Sequence, residues 1–293
     1  MRRRVRALLP RLHLLPALSG QLDQWTEWLV RTRFAGWSDA DVAKSLERLA
    51  GWRDRVLDGA ALQSGDAVAD VGSGIGLLTL GAVERVGTDG DVIALDISVD
   101  ALEELRRRTT APNVSYLVGQ AEVLPLADAS VDAVVTRSVL IYVDDKAEAA
   151  REFARVLRRG GRASLFEPIN SRNLKLVDAV DFGPLGELGE RLRAWNETSY
   201  ANRDDPMLNF DESDLARYFH SAGLDVDVEL GATEEQIEGR QYLNQVGAPG
   251  RPTLLERWRT DFAAEDVEEL ASFLGDRSIP TRIEHAFLTA RKP

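Results

Sequence analysis

From about residue 60 onward, short apolar runs alternate with segments whose apolar residues recur at helical spacing. Val68-Ala69-Asp70-Val71 is a run of small apolar residues broken by one acid, the pattern of a strand covered on both faces. Val92-Ile93-Ala94-Leu95-Asp96 repeats the pattern, again ending in an acid. Val114–Val118, Asp132–Thr136 and Ala163–Phe166 are three more such runs. Between them, Leu102 and Leu105, then Phe153, Val156 and Leu157, are spaced as buried helix faces. This strand–helix alternation predicts an α/β domain with a parallel sheet. The rhythm breaks over 171–214, where Gly183, Pro184, Gly186, Gly189 and Pro206 punctuate amphipathic pieces. A connection of that length inside a compact domain is usually functional. A helix carrying Leu215, Tyr218 and Phe219 and a strand over Val226–Leu230 resume it. A second interruption spans 232–280 and contains a capping box, Thr253 to Glu256, before Trp258 and Phe262. His285–Ala290 then reads as the last strand. Ahead of the rhythm, 21–64 read as helices: Trp25, Trp28 and Leu29 share one face, and Ser38 with Asp41 forms a cap before Val42, Leu46 and Leu49. The pattern therefore divides the chain into an arm and helical cap over 1–59 and an α/β domain over 60–293, with helical insertions at about 171–214 and 232–280.

The chemistry concentrates where the first strand meets the first helix. Gly72, Gly74 and Gly76 follow the strand at every second position, and Leu77, Leu78 and Leu80 open the helix. Glycine permits positive φ and lets a ligand lie against bare backbone. Helix-start N–H groups favour anionic or electron-rich ligand groups. The spacing is not that of a dinucleotide fingerprint, because its third glycine would fall at Leu77, nor that of a P-loop, because no Lys is present. An acid, Asp70, stands two residues before the first glycine instead. Asp96 lies about 20 residues beyond the turn, where a carboxylate can accept ribose hydroxyls.

Asp70-Val71-Gly72-Ser73-Gly74-Ile75-Gly76 resembles the first motif of the class I S-adenosylmethionine-dependent methyltransferases. The ordered motifs extend the resemblance over roughly 60–170, 215–231 and 281–293. It implies a Rossmann-like, doubly wound, seven-stranded, mostly parallel sheet with an antiparallel last strand, plus the cap and insertions. It implies S-adenosylmethionine as cofactor. Asp70, Gly72, Ser73, Gly74 and Gly76 would surround its methionine end. Asp96 would serve the ribose and Gln120 and Ala121 the adenine, with Ile97 in the same cofactor site. Gln120 departs from the family's usual Asp but still offers an acceptor. Arg137 follows the fourth strand, and from that place its backbone is expected to touch the methionine portion and its side chain to point to an anionic acceptor. Nucleic-acid amino-methylases carry an Asn/Asp-Pro-Pro-Tyr motif where this chain has Arg137-Ser138, so the acceptor is expected to be a small molecule or a modified peptide.

Composition narrows the reading further. The chain has 293 residues, 44% hydrophobic and 29% charged, with a formal net charge of -12. That acidity argues against a nucleic-acid groove. It has no Cys, which removes thiolate catalysis, disulfides and Cys-ligated metal, and fits a reducing, cytoplasmic compartment. No stretch approaches the ~18 apolar residues of a membrane span, and no metal-ligand spacing stands out. Residues 1–20 read as a basic arm that packs on the domain or on a second subunit, as in a homodimer.

Methyl transfer from a sulfonium is an in-line displacement of an already activated group. Alignment alone contributes up to about 7–11 kcal/mol, and a general base adds ~10²–10⁴-fold where the nucleophile carries a proton. The expected catalytic candidates are Glu167 as base, Tyr142 as an orienting hydroxyl, and His285 at the start of the last strand. A packed or solvent-facing role is the simpler reading for His220. Two rival functions stay open at this point: a cofactor-binding protein without methyl transfer, and a nicotinamide oxidoreductase, which Leu77 disfavours.

Overall fold

A computed structural model describes residues 22–293; the basic arm over 1–20 lies outside the described residues. A helical cap comes first. Helix α1 (Gln24–Glu27) continues as a π turn over Trp28–Thr32, and helix α2 (Asp39–Gly59) follows. The predicted cap at Ser38 is present: its hydroxyl accepts the Asp41 N–H at 3.2 Å. Val42, Leu49, Val56 and Leu57 recur at helical spacing and are buried. Val56 and Leu57 press α2 onto the sheet, so the cap is anchored to the domain that it covers.

The alternation then unfolds as predicted: β1 (Ala67–Val71), α3 (Leu77–Val86), β2 (Asp91–Asp96), α4 (Val99–Arg108), β3 (Val114–Val118), β4 (Val131–Arg137), α5 (Lys146–Val156) and β5 (Leu157–Pro168). Strands β6 (Asp225–Glu238) and β7 (Ser278–Arg291) complete a seven-stranded sheet of order β3-β2-β1-β4-β5-β7-β6. Strand β7 alone runs antiparallel to its neighbours. The strand order reverses between β1 and β4. In an open α/β sheet, ligands bind beyond the carboxyl ends of the strands at such a point. One large apolar core joins β1, β4, β5 and β7 to α5 and to α8 (Glu212–Ser221), with Phe153 and Phe219 fully buried.

Three strands differ in their bounds from the sequence reading, and β5 is the first: it runs over Leu157–Pro168, beyond Ala163–Phe166, and so includes Leu157 and Glu167. Strand β6 does not end near Leu230, and β7 does not begin at His285. The two pair continuously from Asp225↔Arg291 to Glu238↔Ser278. The stretch Thr233-Glu234-Glu235-Gln236-Ile237-Glu238 looks like a polar loop because neither face of this ribbon is fully buried. Cross-strand pairs hold it instead, Arg282 to Glu234 at 2.6 Å and Ser278 to Gln236 at 2.9 Å. The second insertion therefore spans 239–277.

The two insertions also meet. Helices α6 (Leu176–Ala179) and α7 (Glu187–Tyr200) come from the first, and α9 (Gly239–Asn244), α10 (Leu254–Asp261) and α11 (Ala264–Gly275) from the second. They share one core around Leu192, Leu243, Trp258, Leu270 and Leu274. A buried side chain of this kind stabilises by roughly 1.5–3 kcal/mol, so the insertions form a small helical body seated on the β6–β7 ribbon. Among the described residues, no helix is long and apolar enough to cross a membrane.

Candidate functional site

The glycine turn leaves β1 at the switch point. Gly72 has φ +68°, and a Cβ on it would lie 2.2 Å from Val139 Cγ2, so only glycine lets the β4–α5 loop close over the turn. Gly74 donates its N–H to Asp96 Oδ2 at 2.7 Å, and Ser98 N–H donates to Asp96 Oδ1 at 2.9 Å. Each Asp96 oxygen keeps a second lone pair for another donor. Burial raises the Asp96 pKa, against the bonds from Ser98 and Gly74, and nearby Asp23 adds to the rise. The cap locks onto the same place: the Asp23 carboxylate accepts from Ser98 Oγ, and Thr26 Oγ1 lies 3.0 Å from it.

A single cavity of about 1730 Å³ opens from this turn and runs beneath the cap and both insertions. Ordinary ligand pockets measure ~300–1,000 Å³, so the space exceeds the needs of one small ligand. Of the residues expected to hold a cofactor, Asp70, Gly72, Ser73 and Gly74 line one end. Asp96, Ile97, Gln120 and Ala121 line its continuation, with Ile97 half exposed. Ser73 Oγ is buried there without a hydrogen-bond partner. A buried hydroxyl left open, bare glycine backbone and spare carboxylate lone pairs suit the amino-acid and ribose groups of an adenosyl cofactor. The Asp70 carboxylate is turned to α3, where it accepts from Thr79 Oγ1 at 2.5 Å. Burial, partly offset by the bonds from Thr79, pushes its pKa up to about 7.

Gly76 departs from expectation. It does not line the cavity. It is the left-handed N-cap of α3, and a Cβ there would meet Leu105 Cδ1 at 2.2 Å, so it serves the packing of α3 on α4.

The other end of the cavity is aromatic and basic. Trp25, Trp28, Trp37 and Trp52 face it from the cap, and Trp195, Tyr200 and Tyr242 from the insertions. Tyr142 lines it as expected and stands edge-on to Trp25 at 4.9 Å. Burial first, then Glu167, pushes the Tyr142 hydroxyl up to about 12, against Arg137 and Arg33, so it stays a hydrogen-bond donor at neutral pH. Arg137 also lines the cavity, joined by Arg33 and Arg48, which sequence reading passed over. The available signal for Arg33 was its place in sequence among Trp28, Phe34 and Trp37.

Glu167 and His285 are corrections. Neither lines the cavity. Glu167 is fully buried behind the wall, and its carboxylate accepts three consecutive backbone N–H groups, Val139 at 2.9 Å, Leu140 at 3.0 Å and Ile141 at 3.1 Å. With the Ser138 N–H donating to Phe166 O at 2.8 Å, this clamps the loop that carries Tyr142. Ser138 itself is held at φ +54°, a costly conformation for a residue with a Cβ. His285 lies in the middle of β7, opposite Pro168 and Gly231, within a cluster of Trp52, Phe166 and Phe287. Burial lowers its pKa, so it is a neutral packed ring. His220 is exposed on α8. Among the described residues no group of three or more His, Asp or Glu is placed to hold a metal ion.

Burial pushes Glu167 up to about 7 despite its three backbone donors. Its folded pKa lies above the unfolded value, so the stability it confers is complete below about pH 4 and is lost as pH rises through about 7. Asp70 follows the same sign. We expect the unfolding free energy to fall between about pH 5 and pH 8, by up to ~3 kcal/mol for each group. Buried His285 acts in the opposite sense below about pH 6.5, so the comparison is made with Glu167→Gln. Urea titrations at a series of pH values should show a shallower decline in the variant; parallel curves would remove Glu167 as the cause.

Comparison with known proteins fits this geometry. Residues 69–165 match a protein family described as a methyltransferase domain. Over 181 residues the chain is 31% identical to the ubiquinone/menaquinone biosynthesis C-methyltransferase UbiE of Enterobacter sp. strain 638, spanning 59% of this chain and 72% of that protein. A crystal structure from Bacillus halodurans C-125, assigned as a methyltransferase, superposes with a TM-score of 0.55 at 20% identity, covering 82% of this chain and 98% of that one. A geranyl diphosphate methyltransferase in complex with SAM superposes with a TM-score of 0.50 at 18% identity, covering 87% and 90%.

Proposed function

The chain belongs to the class I S-adenosylmethionine-dependent methyltransferases, and from that premise we propose that it methylates a small-molecule acceptor held under the cap by alignment, without a general base. The observation that carries this reading is one continuous cavity whose glycine-turn end opens into an aromatic and basic chamber. Ser73 and Gly74 would hold the amino-acid end of the cofactor, Asp96 the ribose, and Ile97 with Gln120 and Ala121 the base. When bound there, S-adenosylmethionine supplies an activated methyl group. The chain's own contribution is to bind, orient and exclude water. The Trp-lined cap and the insertions cover the acceptor end, and Tyr142 offers a hydroxyl to orient the acceptor. The two ionisable candidates for proton removal, Glu167 and His285, stand outside the cavity wall. An acceptor nucleophile that needs no strong base therefore suits the site, as does one whose proton leaves to water.

The test is incubation with methyl-labelled S-adenosylmethionine and fractionated small molecules from producer cells, read by mass spectrometry. We expect acceptor-dependent release of S-adenosylhomocysteine together with a labelled product. Tight cofactor binding with no release in any fraction would make the chain a cofactor-binding protein.

A further inference from the structure

Of the cavity arginines, Arg257 is exposed and donates to Ser199 Oγ, and the rest fall into two groups. Arg251 is paired with Asp205 at 2.8 Å, Arg282 with Glu234 and Glu284 at 2.6 Å, and Arg48 with Glu235. Arg33 and Arg137 have no carboxylate at ion-pair distance among the described residues. Their recorded neighbours are rings: Trp28 and Phe34 for Arg33, Trp52 and Phe166 for Arg137. Arg137 Nε is buried with no hydrogen-bond partner. Removing a guanidinium from water without a partner is unfavourable, and it depresses the proton affinity of both groups. Arg33 is lowered to about 9 by burial, then by Arg137; Arg137 is lowered to about 10 by burial, against the pull of Glu167. In a chain of net charge -12, two half-buried cations without a carboxylate partner in one chamber stand out against the overall charge.

The cofactor carries one carboxylate, so it can offset one of the two. Arg33 is taken as that one: its cap segment brings Leu29 to 3.2 Å from the Cβ position of Gly74. Arg137 remains. Its guanidinium stands 5.7 Å from the Trp52 ring centre, and Arg48 stands 5.4 Å from the same ring. Arginine presents a planar fork that matches carboxylate and phosphate oxygens, and the surrounding tryptophans offer flat apolar surface.

We propose that the methyl acceptor carries an oxyanion, a carboxylate or a phosphate, on a ring-bearing or apolar body, with the oxyanion received by Arg137 beside Arg48 and the body lying against Trp52. This rests on the methyltransferase reading above. The test uses the protein saturated with S-adenosylhomocysteine and measures its affinity for 4-hydroxybenzoate, phenyl phosphate and uncharged 4-hydroxybenzamide by calorimetry. At least one anion should bind about tenfold or more tightly than the amide; which of them leads identifies the oxyanion. Arg137→Gln should abolish that preference while leaving S-adenosylhomocysteine affinity within about twofold, and Arg137→Lys should restore part of it. An amide that binds as well as both anions overturns the proposal, as does an Arg137→Gln protein that keeps the preference. Loss of S-adenosylhomocysteine binding in Arg137→Gln also overturns it and assigns Arg137 to the cofactor's carboxylate. Failure of the parent protein itself to bind S-adenosylhomocysteine would defeat the methyltransferase reading and the proposal together.

Discussion

Replacing Glu167 with alanine should destabilise the protein by about 3 kcal/mol, because three backbone N–H groups, two of them in buried hydrogen bonds, lose their acceptor at ~1–3 kcal/mol each. The three donors are consecutive, Val139, Leu140 and Ile141, and no other side chain is recorded as accepting from them. The loop they belong to is already strained at Ser138 and closes over Gly72. Its loosening should therefore reach both the glycine turn and Tyr142. Urea unfolding reads the stability loss directly, as a lower midpoint at an unchanged slope. A base role makes a different demand. It requires Glu167→Gln to unfold at the parent's midpoint while the chemical step slows by about 10². That pair of results would return Glu167 to the catalytic group.

The second large effect is expected at Asp96. Its carboxylate organises the turn through Gly74 and Ser98 and keeps lone pairs for two ribose hydroxyls. Hydrogen bonds to a charged acceptor contribute ~1.5–3 kcal/mol each. Asp96→Ala should therefore weaken S-adenosylhomocysteine binding by about 10²-fold or more. The strand and the hydrophobic core do not depend on this side chain, so the circular dichroism spectrum should stay that of the parent. Asp96→Asn, which keeps one oxygen acceptor, should lose less. Equal affinity of Asp96→Ala and parent in calorimetry would show that the ribose is held elsewhere.

Much of the fold was legible in the chain because parallel strands buried on both faces are written as near-continuous apolar runs. Val68–Val71 and Val92–Leu95 carry that signature locally, and the glycines and acids that end them stand at fixed offsets from the runs. Helix caps at Ser38 and Thr253 were readable for the same reason: each acts within three residues of itself.

What escaped sequence reading depends on partners far away in the chain. The β6–β7 ribbon is polar on the page, and only its partner strand makes it a strand. Glu167 lies near the ligand-edge end of β5, but its direction was decided by the loop over Val139–Ile141, which folds back over it and fills its lone pairs. Gly76 belongs to the same turn as Gly74, but its bare backbone faces Leu105 of the next helix. His285 was displaced from the strand's start to its middle by the extra residues of β7. Arg33, Arg48 and Arg137 come from two separate segments of sequence and share a cavity only because α2 lies across the sheet. Local pattern determined the strands, the turn and the caps, whose energies are set within a few residues. The tertiary structure alone decided which side chains face the cavity, because a side chain's direction and partners are set by packing between segments distant in the chain.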